Sequence, residues 1–514
     1  MLRVSVIVPV YEPKESFDEL IRSLDRQTLG SSRFEVLLCD DGSGAATKAR
    51  LAEIARTRAN VRVLTLPHTG WPGTPRNHGI DAARGEYVFF ADQDDRLFEG
   101  ALRHLCDYAD RHSSDVVIGR VVGIGRKIPA AIFRRDIPKA ELGKDPILEL
   151  LTPHKLFRTA FLRDHGIRYP DGRVRLEDHL FVMRAYFAAR TISVLASRPC
   201  YGWVKNPGSA SSSRIDPETY FPHLETVLDL VEDNTGPGAV RDTLLRHWYR
   251  GKILERLSGQ RIARYPADYR DRFLDVVIPL VQAHFGPGVE RGLSLPLRVR
   301  SALLRAGRRD DLLRFAEFEA ALKADVRVTR ARWTRGGMLE LVIEADVVAG
   351  DGAPLAFDAA SSTWRPPAEL GIDDLPAETL DASRALSRDR VDVILRDKPN
   401  RIDRRVPGKR AGDGRVSRVV VDPLRVFARG ESSAGGRLFA TVHHADFTVK
   451  ARLRADASAL AALGRSPLLA GRRCELVRRD DGTLELRREW PRGAARELLA
   501  RAVARAGRML RRRR

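Results

Sequence analysis

The stretch YVFFADQDDRLFEG, residues 87–100, sets Asp92, Asp94, Asp95 and Glu99 directly behind a run of aromatic and branched apolar residues. Carboxylates this close repel one another unless a positive charge lies between them. An Asp-x-Asp turn at a strand end offers the hard oxygen ligands that Mg2+ or Mn2+ takes, with water and substrate phosphates completing the shell. The plainer reading is a solvated acidic turn capping the helical pattern FEGALRHLCDYADRH. A second acidic turn, CDDGSG with Asp41, closes another apolar run. A third acidic pair, Glu177 and Asp178, opens the pattern EDHLFVMRAYFAAR, where negative charge also suits the helix dipole.

These carboxylates sit in a regular succession of elements. VSVIVPVY is a continuous β-branched run, followed by SFDELIRSLDRQT with Phe17, Leu20, Ile21 and Leu24 at helical spacing. FEVLLCD, ATKARLAEIARTR, VRVLTL, PRNHGIDAARG and EYVFFAD repeat the alternation of strand and helix. That order predicts a parallel sheet covered by helices, with ligands held beyond the carboxyl ends of its strands. Two acidic turns occupy such ends. Residues from about 216 carry apolar stripes at three- and four-residue spacing, as in YFPHLETVLDLVED and RDTLLRHWYRGKILERL. From about Asp325 the period becomes two, as in MLELVIEADVV and RVDVILRD, with Gly/Asp turns, which predicts a β-sandwich. His443 and His444 fall within such a strand pattern. The tail GAARELLARAVARAGRMLRRRR returns to helical spacing.

VIVPVY, DDGS, TPRNHGI…ARGEYVFFADQDD and RLEDHLFVMRAYFAA, in this order and spacing, resemble the signature series of family 2 glycosyltransferases of the GT-A fold. GWPGTPRNHGIDAARGEYVFFADQDD, LTPHKLFRTAFLRDHGIRYP, LEDHLFVMRAYFAARTISVL and GSASSS are similar to a narrower group, the enzymes that add N-acetylglucosamine to the poly(ribitol phosphate) of wall teichoic acid. The resemblance implies an α/β GT-A (Rossmann-like) nucleotide-sugar domain over 1–215, a helical linker over 216–324 and an all-β immunoglobulin-like sandwich over 325–490. A basic amphipathic helix would follow over 491–514.

The implied activity is inverting transfer of a sugar from a UDP-sugar to a hydroxyl of a cell-envelope polyol-phosphate polymer. By this resemblance Asp41 accepts from the uracil N3–H, Pro9 and Tyr11 line the base pocket, and Arg76 and Asn77 lie nearby, Asn77 fixing the loop. Asp92 contacts the ribose. Asp94 binds a divalent metal, Mn2+ or Mg2+, that bridges the diphosphate and supplies the missing positive charge. Asp95 is left between a site role and a helix cap. Asp178 matches the general base, with Glu177 orienting the acceptor or supporting the loop. His68 and Trp71 match a substrate-side loop. Lys205 closes over the diphosphate, although relatives carry a second cation where this chain has Asn206. His154, Lys155, Arg173 and Arg175 are placed either on the acceptor side or in solvated loops.

Of the net charge of +21, residues 401–514 carry 29 Lys and Arg against 12 Asp and Glu, so the excess gathers at one end. Local positive charge of this kind predicts an anionic partner. The arginine face of 491–514 suits an anionic membrane surface, and the resemblance allows a homotrimer. Nucleic acid is not expected, because the basic tail lacks interleaved aromatics. No apolar run is long enough to span a bilayer, and MLRVSVIVPVYEP reads as a buried strand rather than a signal peptide. Cys39, Cys106, Cys200 and Cys474 lack metal-site or disulfide spacing, which fits a reducing cytoplasm. Other acceptors (capsule, glycolipid or another surface glycan) stay open, as does a polyanion-binding scaffold with an inactive transferase domain.

Overall fold

The computed structural model describes residues 2–206, 214–397, 403–411, 415–426, 434–461, 463–469 and 473–489. The GSASSS segment and the tail 491–514 lie outside the described residues.

The chain forms two compact units, one of residues 1–252 with 267–292 and the other of 253–266 with 293–514. In the first, strands β1 (Val4–Val10), β2 (Phe34–Asp40), β3 (Val61–Thr65) and β4 (Tyr87–Phe90) alternate with helices α1 (Ser16–Asp25), α2 (Ala45–Arg56) and α3 (Gly73–Ala82). Every residue of β2 and all but Pro9 of β1 are buried, the mark of strands covered on both faces. Helix α1 turns Phe17, Leu20, Ile21 and Leu24 inward, as their spacing predicts. Gly79 lets α3 settle onto β1, because a Cβ there would stand 2.4 Å from Ile7 Cγ2.

The chain continues through β5 (Arg96–Leu97), α4 (Ala101–His112), β6 (Val116–Ile124), β7 (Leu156–Arg158), α5 (Thr159–Asp164), α6 (Glu177–Ala188) and β8 (Ile192–Val204). The eight-stranded sheet has the order β3-β2-β1-β4-β7-β6-β8-β5. This corrects the expectation of a parallel sheet. β3, β2, β1 and β4 are parallel, but β7 runs antiparallel to both β4 and β6, and β5 runs antiparallel to β8. The strand–helix alternation that enforces parallel crossovers ends at β4; beyond it β6 and β8 still run with the first four strands, while β7 and β5 enter in the opposite direction.

Helices α7 (Pro217–Asp233) and α8 (Ala239–Trp248) also belong to the first unit. The second unit includes the helices Leu295–Arg305 and Arg309–Ala321, then two mainly antiparallel sheets. One sheet is built on Lys323–Trp333, Leu339–Val348 and Val416–Val421, the other on Arg390–Asp397, Ala434–His444 and Leu484–Glu489. Val328, Leu341, Val393, Leu438 and Leu486 share one hydrophobic core, so the sheets form a sandwich. His443 and His444 pair with Asp392 (2.9 Å) and Asp389 (2.6 Å). Among the described residues no helix is long and apolar enough to cross a membrane.

Candidate active site

The carboxyl ends of β1, β2 and β4 meet at one rim. At the tip of β2, Gly42 takes φ +72°, and a Cβ there would lie 2.6 Å from the His68 backbone nitrogen. Only glycine lets the loop after β3 come this close. Asp41 holds that loop. Its Oδ1 accepts from the Thr69 amide (2.8 Å) and hydroxyl (2.7 Å), and its Oδ2 accepts from the Gly70 amide (2.8 Å). A carboxylate has about four lone-pair sites, so Asp41 retains one acceptor position. The His68 ring stacks on Tyr11 at 4.4 Å, beside Pro9 at the end of β1. Gln93 clamps the Tyr11 backbone, accepting from its amide (2.9 Å) and donating to its carbonyl (3.0 Å).

Arg76, in α3, occupies the centre. Its guanidinium is buried and donates through Nη1 to Asp178 (2.8 Å) and through Nη2 to Asp92 (2.8 Å), and it lies 5.2 Å from the Tyr169 ring centre. Rather than offering free charge to a ligand, Arg76 joins two carboxylates 86 positions apart. Asn77 is buried beside it and exchanges both amide bonds with the Tyr169 backbone (2.9 and 3.0 Å), the loop-fixing role expected of it.

Asp92 accepts on its other oxygen from His154 Nε2 (3.0 Å). Burial pushes this carboxyl upward, but His154 and Arg76 outweigh burial and hold it well below the usual range. The positive charge that the acidic turn requires is thus partly built into the protein. His154 is 2% exposed and stacked on Tyr201 at 4.1 Å, so it faces neither an acceptor nor solvent. Lys155 is corrected in the same way. It is fully buried, and its Nζ donates to the carbonyls of Leu150 (2.9 Å) and Thr152. Burial pulls this ammonium down to about 7.

Asp95 is not a helix cap. It accepts from the Tyr201 hydroxyl (2.7 Å) and the Val204 amide (2.7 Å), and the same hydroxyl accepts from the Asp92 amide (3.0 Å). Burial, its dominant influence, pushes the Asp95 carboxyl up to about 7. Neither Tyr201 nor Gln93 was singled out in the sequence: Gln93 is the middle residue of the Asp-x-Asp turn, and Tyr201 lies in an apolar strand pattern.

Asp94 is half-buried and accepts from the Asn206 side-chain amide. Lys205, next to it in sequence, is exposed. Among the described residues, ligand atoms of Asp92, Asp95 and His154 lie within 4.8 Å of one another. Within that trio Asp92 bonds Arg76 and His154, and Asp95 bonds Tyr201 and Val204, while His154 Nδ1 is buried without a hydrogen-bond partner among the described residues. Burial first, and then the Asp92 charge, raise the Asp94 carboxyl. A divalent cation at Asp94 would relieve that excess of negative charge.

On the far side, Leu176 takes φ 62° and ψ 24°, the left-handed region that a branched side chain disfavours. The kink presents Glu177 and Asp178 as the first turn of α6. Burial chiefly, then the Asp178 charge, push Glu177 up to about 7. Burial also raises Asp178, with Arg76 pulling it back. Arg175 lies over the Trp71 ring at 5.3 Å, while Arg173 is exposed with its guanidinium against Gly70. Asp41 therefore connects, through the 69–70 loop, to the segment that leads into Asp178.

The description Glycosyl transferase family 2 matches residues 5–169, and Glycosyl transferase TarS linker domain matches residues 217–316. The chain is 36% identical over 230 residues to the poly(ribitol-phosphate) beta-N-acetylglucosaminyltransferase TarS of Staphylococcus aureus, covering 44% of this chain and 40% of that protein. It is 31% identical over 234 residues to the poly(ribitol-phosphate) beta-glucosyltransferase of Bacillus spizizenii, covering 45% of this chain and 37% of that protein. The matched part thus spans about two fifths of the length of these curated relatives. The crystal structure of S. aureus TarS 1–349 in complex with UDP-GlcNAc matches with a TM-score of 0.56 at 27% identity, covering 69% of this chain and 98% of that one. With the GT-A-type sheet and the acidic turn, residues 5–169 form a glycosyl transferase family 2 domain, followed by a match to the TarS linker domain over residues 217–316.

Proposed function

We propose that the chain transfers a sugar, N-acetylglucosamine in the first instance, from a UDP-sugar to a hydroxyl of a polyol-phosphate polymer such as wall teichoic acid, with inversion. The observation that carries this reading is Arg76, whose one guanidinium spans the acidic turn and Asp178. Donor-side and acceptor-side carboxylates thereby share one cleft. Relatives named for poly(ribitol phosphate), and a structural neighbour bound to UDP-GlcNAc, support the choice of substrates.

In this reading Pro9, Tyr11, His68 and the remaining acceptor site of Asp41 receive the uracil, and Asp92 faces the ribose. Lys205 approaches the diphosphate, and exposed Arg173 meets an acceptor phosphate. Asp178 takes the proton from the acceptor hydroxyl as that oxygen bonds to the anomeric carbon, while the bond to UDP breaks on the opposite face. Glu177, whose carboxyl burial and the Asp178 charge push upward, orients the acceptor. A divalent cation on Asp94 would neutralise the departing diphosphate. The sandwich is read as immunoglobulin-like on its two sheets around one core. A cytoplasmic site at the inner face of the membrane, and a homotrimer, rest on the resemblance.

The test is UDP release from UDP-GlcNAc with poly(ribitol phosphate) and Mn2+ or Mg2+, repeated after chelation. Absence of turnover with every UDP-sugar and several envelope polymers would reject the proposal. UDP-glucose belongs in the screen because the B. spizizenii relative is named for glucose transfer.

A further inference from the structure

The acidic pair at the start of α6 stands on a conformation that its own residues do not favour. Leu176 is half-buried and takes φ 62°, where a branched side chain persists only if its surroundings fix it. Two restraints on this turn are the Arg76 bond to Asp178 (2.8 Å) and the Arg175 guanidinium over the Trp71 ring (5.3 Å). Arg76 and Trp71 both lie within the family 2 match of residues 5–169. Two further restraints come from beyond it.

Helices α7 and α8 fall within the match to the TarS linker domain, yet they belong to the same compact unit as the eight-stranded sheet. α7 buries Phe221, Leu224, Val227 and Leu228 and packs on α6. On α7, His223 accepts at Nδ1 from the Arg175 amide (3.2 Å). At the end of α8, fully buried Trp248 donates through Nε1 to His179 Nδ1 (3.0 Å). One bond therefore falls on the residue before Leu176 and the other on the residue after Asp178. A backbone N–H and an indole N–H can only donate, so each Nδ1 must accept, which places the ring proton on Nε2. Burial, and then Lys252 and His247, hold His179 well below its usual range, which keeps the accepting nitrogen free of a proton.

We propose that His223 and Trp248 are positioning residues for the transfer reaction: these two linker side chains brace the turn on either side of the acidic pair and so set where the Asp178 carboxylate stands in the cleft. The role of Asp178 as base rests on the proposed function. A general base works only within hydrogen-bond reach of the proton it takes, and a misplacement of about 1 Å can cost as much as about 10²-fold in rate. The residues that bond His223 and Trp248, Arg175 and His179, are not among those assigned to the nucleotide, so UDP binding should be indifferent to both.

The experiment uses the full chain. Trp248→Phe keeps a ring and removes the donor; His223→Leu keeps bulk and removes the acceptor; His223→Asn returns an acceptor oxygen near the place of Nδ1. In Trp248→Phe and His223→Leu, kcat for UDP release should fall about tenfold, while KM for UDP-GlcNAc and calorimetric UDP affinity stay within twofold. His223→Asn should recover most of the lost rate. Hydrogen exchange of residues 174–180, read without turnover, should quicken about tenfold in the first two variants and stay unchanged in peptides from β1 and β2. An unchanged kcat in both variants, UDP affinity falling in step with kcat, or His223→Asn no better than His223→Leu would overturn the assignment. Exchange that quickens equally in β1 and β2 would mark general loosening and overturn it as well. If the parent itself releases no UDP with any acceptor, the catalytic reading has failed; the exchange of 174–180 then decides the brace alone, and its constancy in both variants would overturn it.

Discussion

Replacing Arg76 by Met keeps most of the buried volume and removes the charge between Asp92 and Asp178. Each lost charge-assisted hydrogen bond, both at 2.8 Å, is worth about 1.5–3 kcal/mol. Stripping one partner from a buried ion pair costs about 3–5 kcal/mol. Side-chain exposures of 32% for Asp92 and 28% for Asp178 let water compensate in part, so the expected loss is near the lower end, about 3 kcal/mol. For a unit of this size that is roughly 6–12 °C in melting temperature. The sign of its pH dependence follows from the same geometry. Without the guanidinium the Asp178 carboxyl, already raised by burial, loses the charge that pulls it back, while Asp92 keeps His154; through Asp178 the folded state binds more protons than the unfolded one and stability falls as pH rises. The loss should be larger at pH 8 than at pH 5. Hydrogen exchange of peptides from β1 and α3, measured at both pH values, reports on this unit without interference from the sandwich. Arg76→Lys should recover part of the loss, since an ammonium cannot span both partners as a planar fork does. A Met variant within 1 kcal/mol of the parent at pH 8, or a larger penalty at pH 5, would refute the bridge as the organiser of the site.

Asp178→Asn should lower kcat by about 10²–10⁴-fold while UDP affinity, measured by calorimetry, stays within threefold; loss of UDP binding would remove Asp178 from the acceptor side. Lys155 sits at about 7 folded and has an ordinary value of 10.5, so between those limits the unfolded state binds more protons and stability rises with pH. Urea midpoints at pH 7 and pH 9.5 should show that rise in the parent and not in Lys155→Met; an identical slope in both would refute it. Gly79→Ala should destabilise the first unit by about 1–3 kcal/mol through the contact with Ile7, and an unchanged melting temperature would show that α3 can move aside.

Much of the framework was legible because burial leaves periodic traces. β1 and β2 announce themselves as unbroken apolar runs, and α1 as four apolar residues at helical spacing. The strand Leu339–Val348 alternates buried and half-buried residues along most of its length, as a period of two requires. The acidic turns were visible for the same reason: charge straight after an apolar run stands out. What escaped notice depends on partners distant in sequence. Nothing local distinguishes an arginine joining two carboxylates from one awaiting a phosphate, so Arg76 looked like a ligand residue. Lys155 looked like a loop cation because its two carbonyl partners become visible only once the 150–154 segment folds back on itself. The reversed direction of β7 was hidden too, since three residues carry no directional signal.

Tyr201 has a consequence for how the cleft can respond to a ligand. It lies in the interior of β8, with Val121 of β6 on one side and Leu97 of β5 on the other, and its phenol ties down both Asp92 and Asp95. The acidic turn is thereby anchored to the sheet itself and cannot shift without tearing strand pairing. The opposite wall, formed by the surface-exposed Tyr11 and His68 rings, has no such mooring in a strand interior. Adaptation to different donors would therefore fall on that wall, with the carboxylates acting as the fixed jaw of a vice.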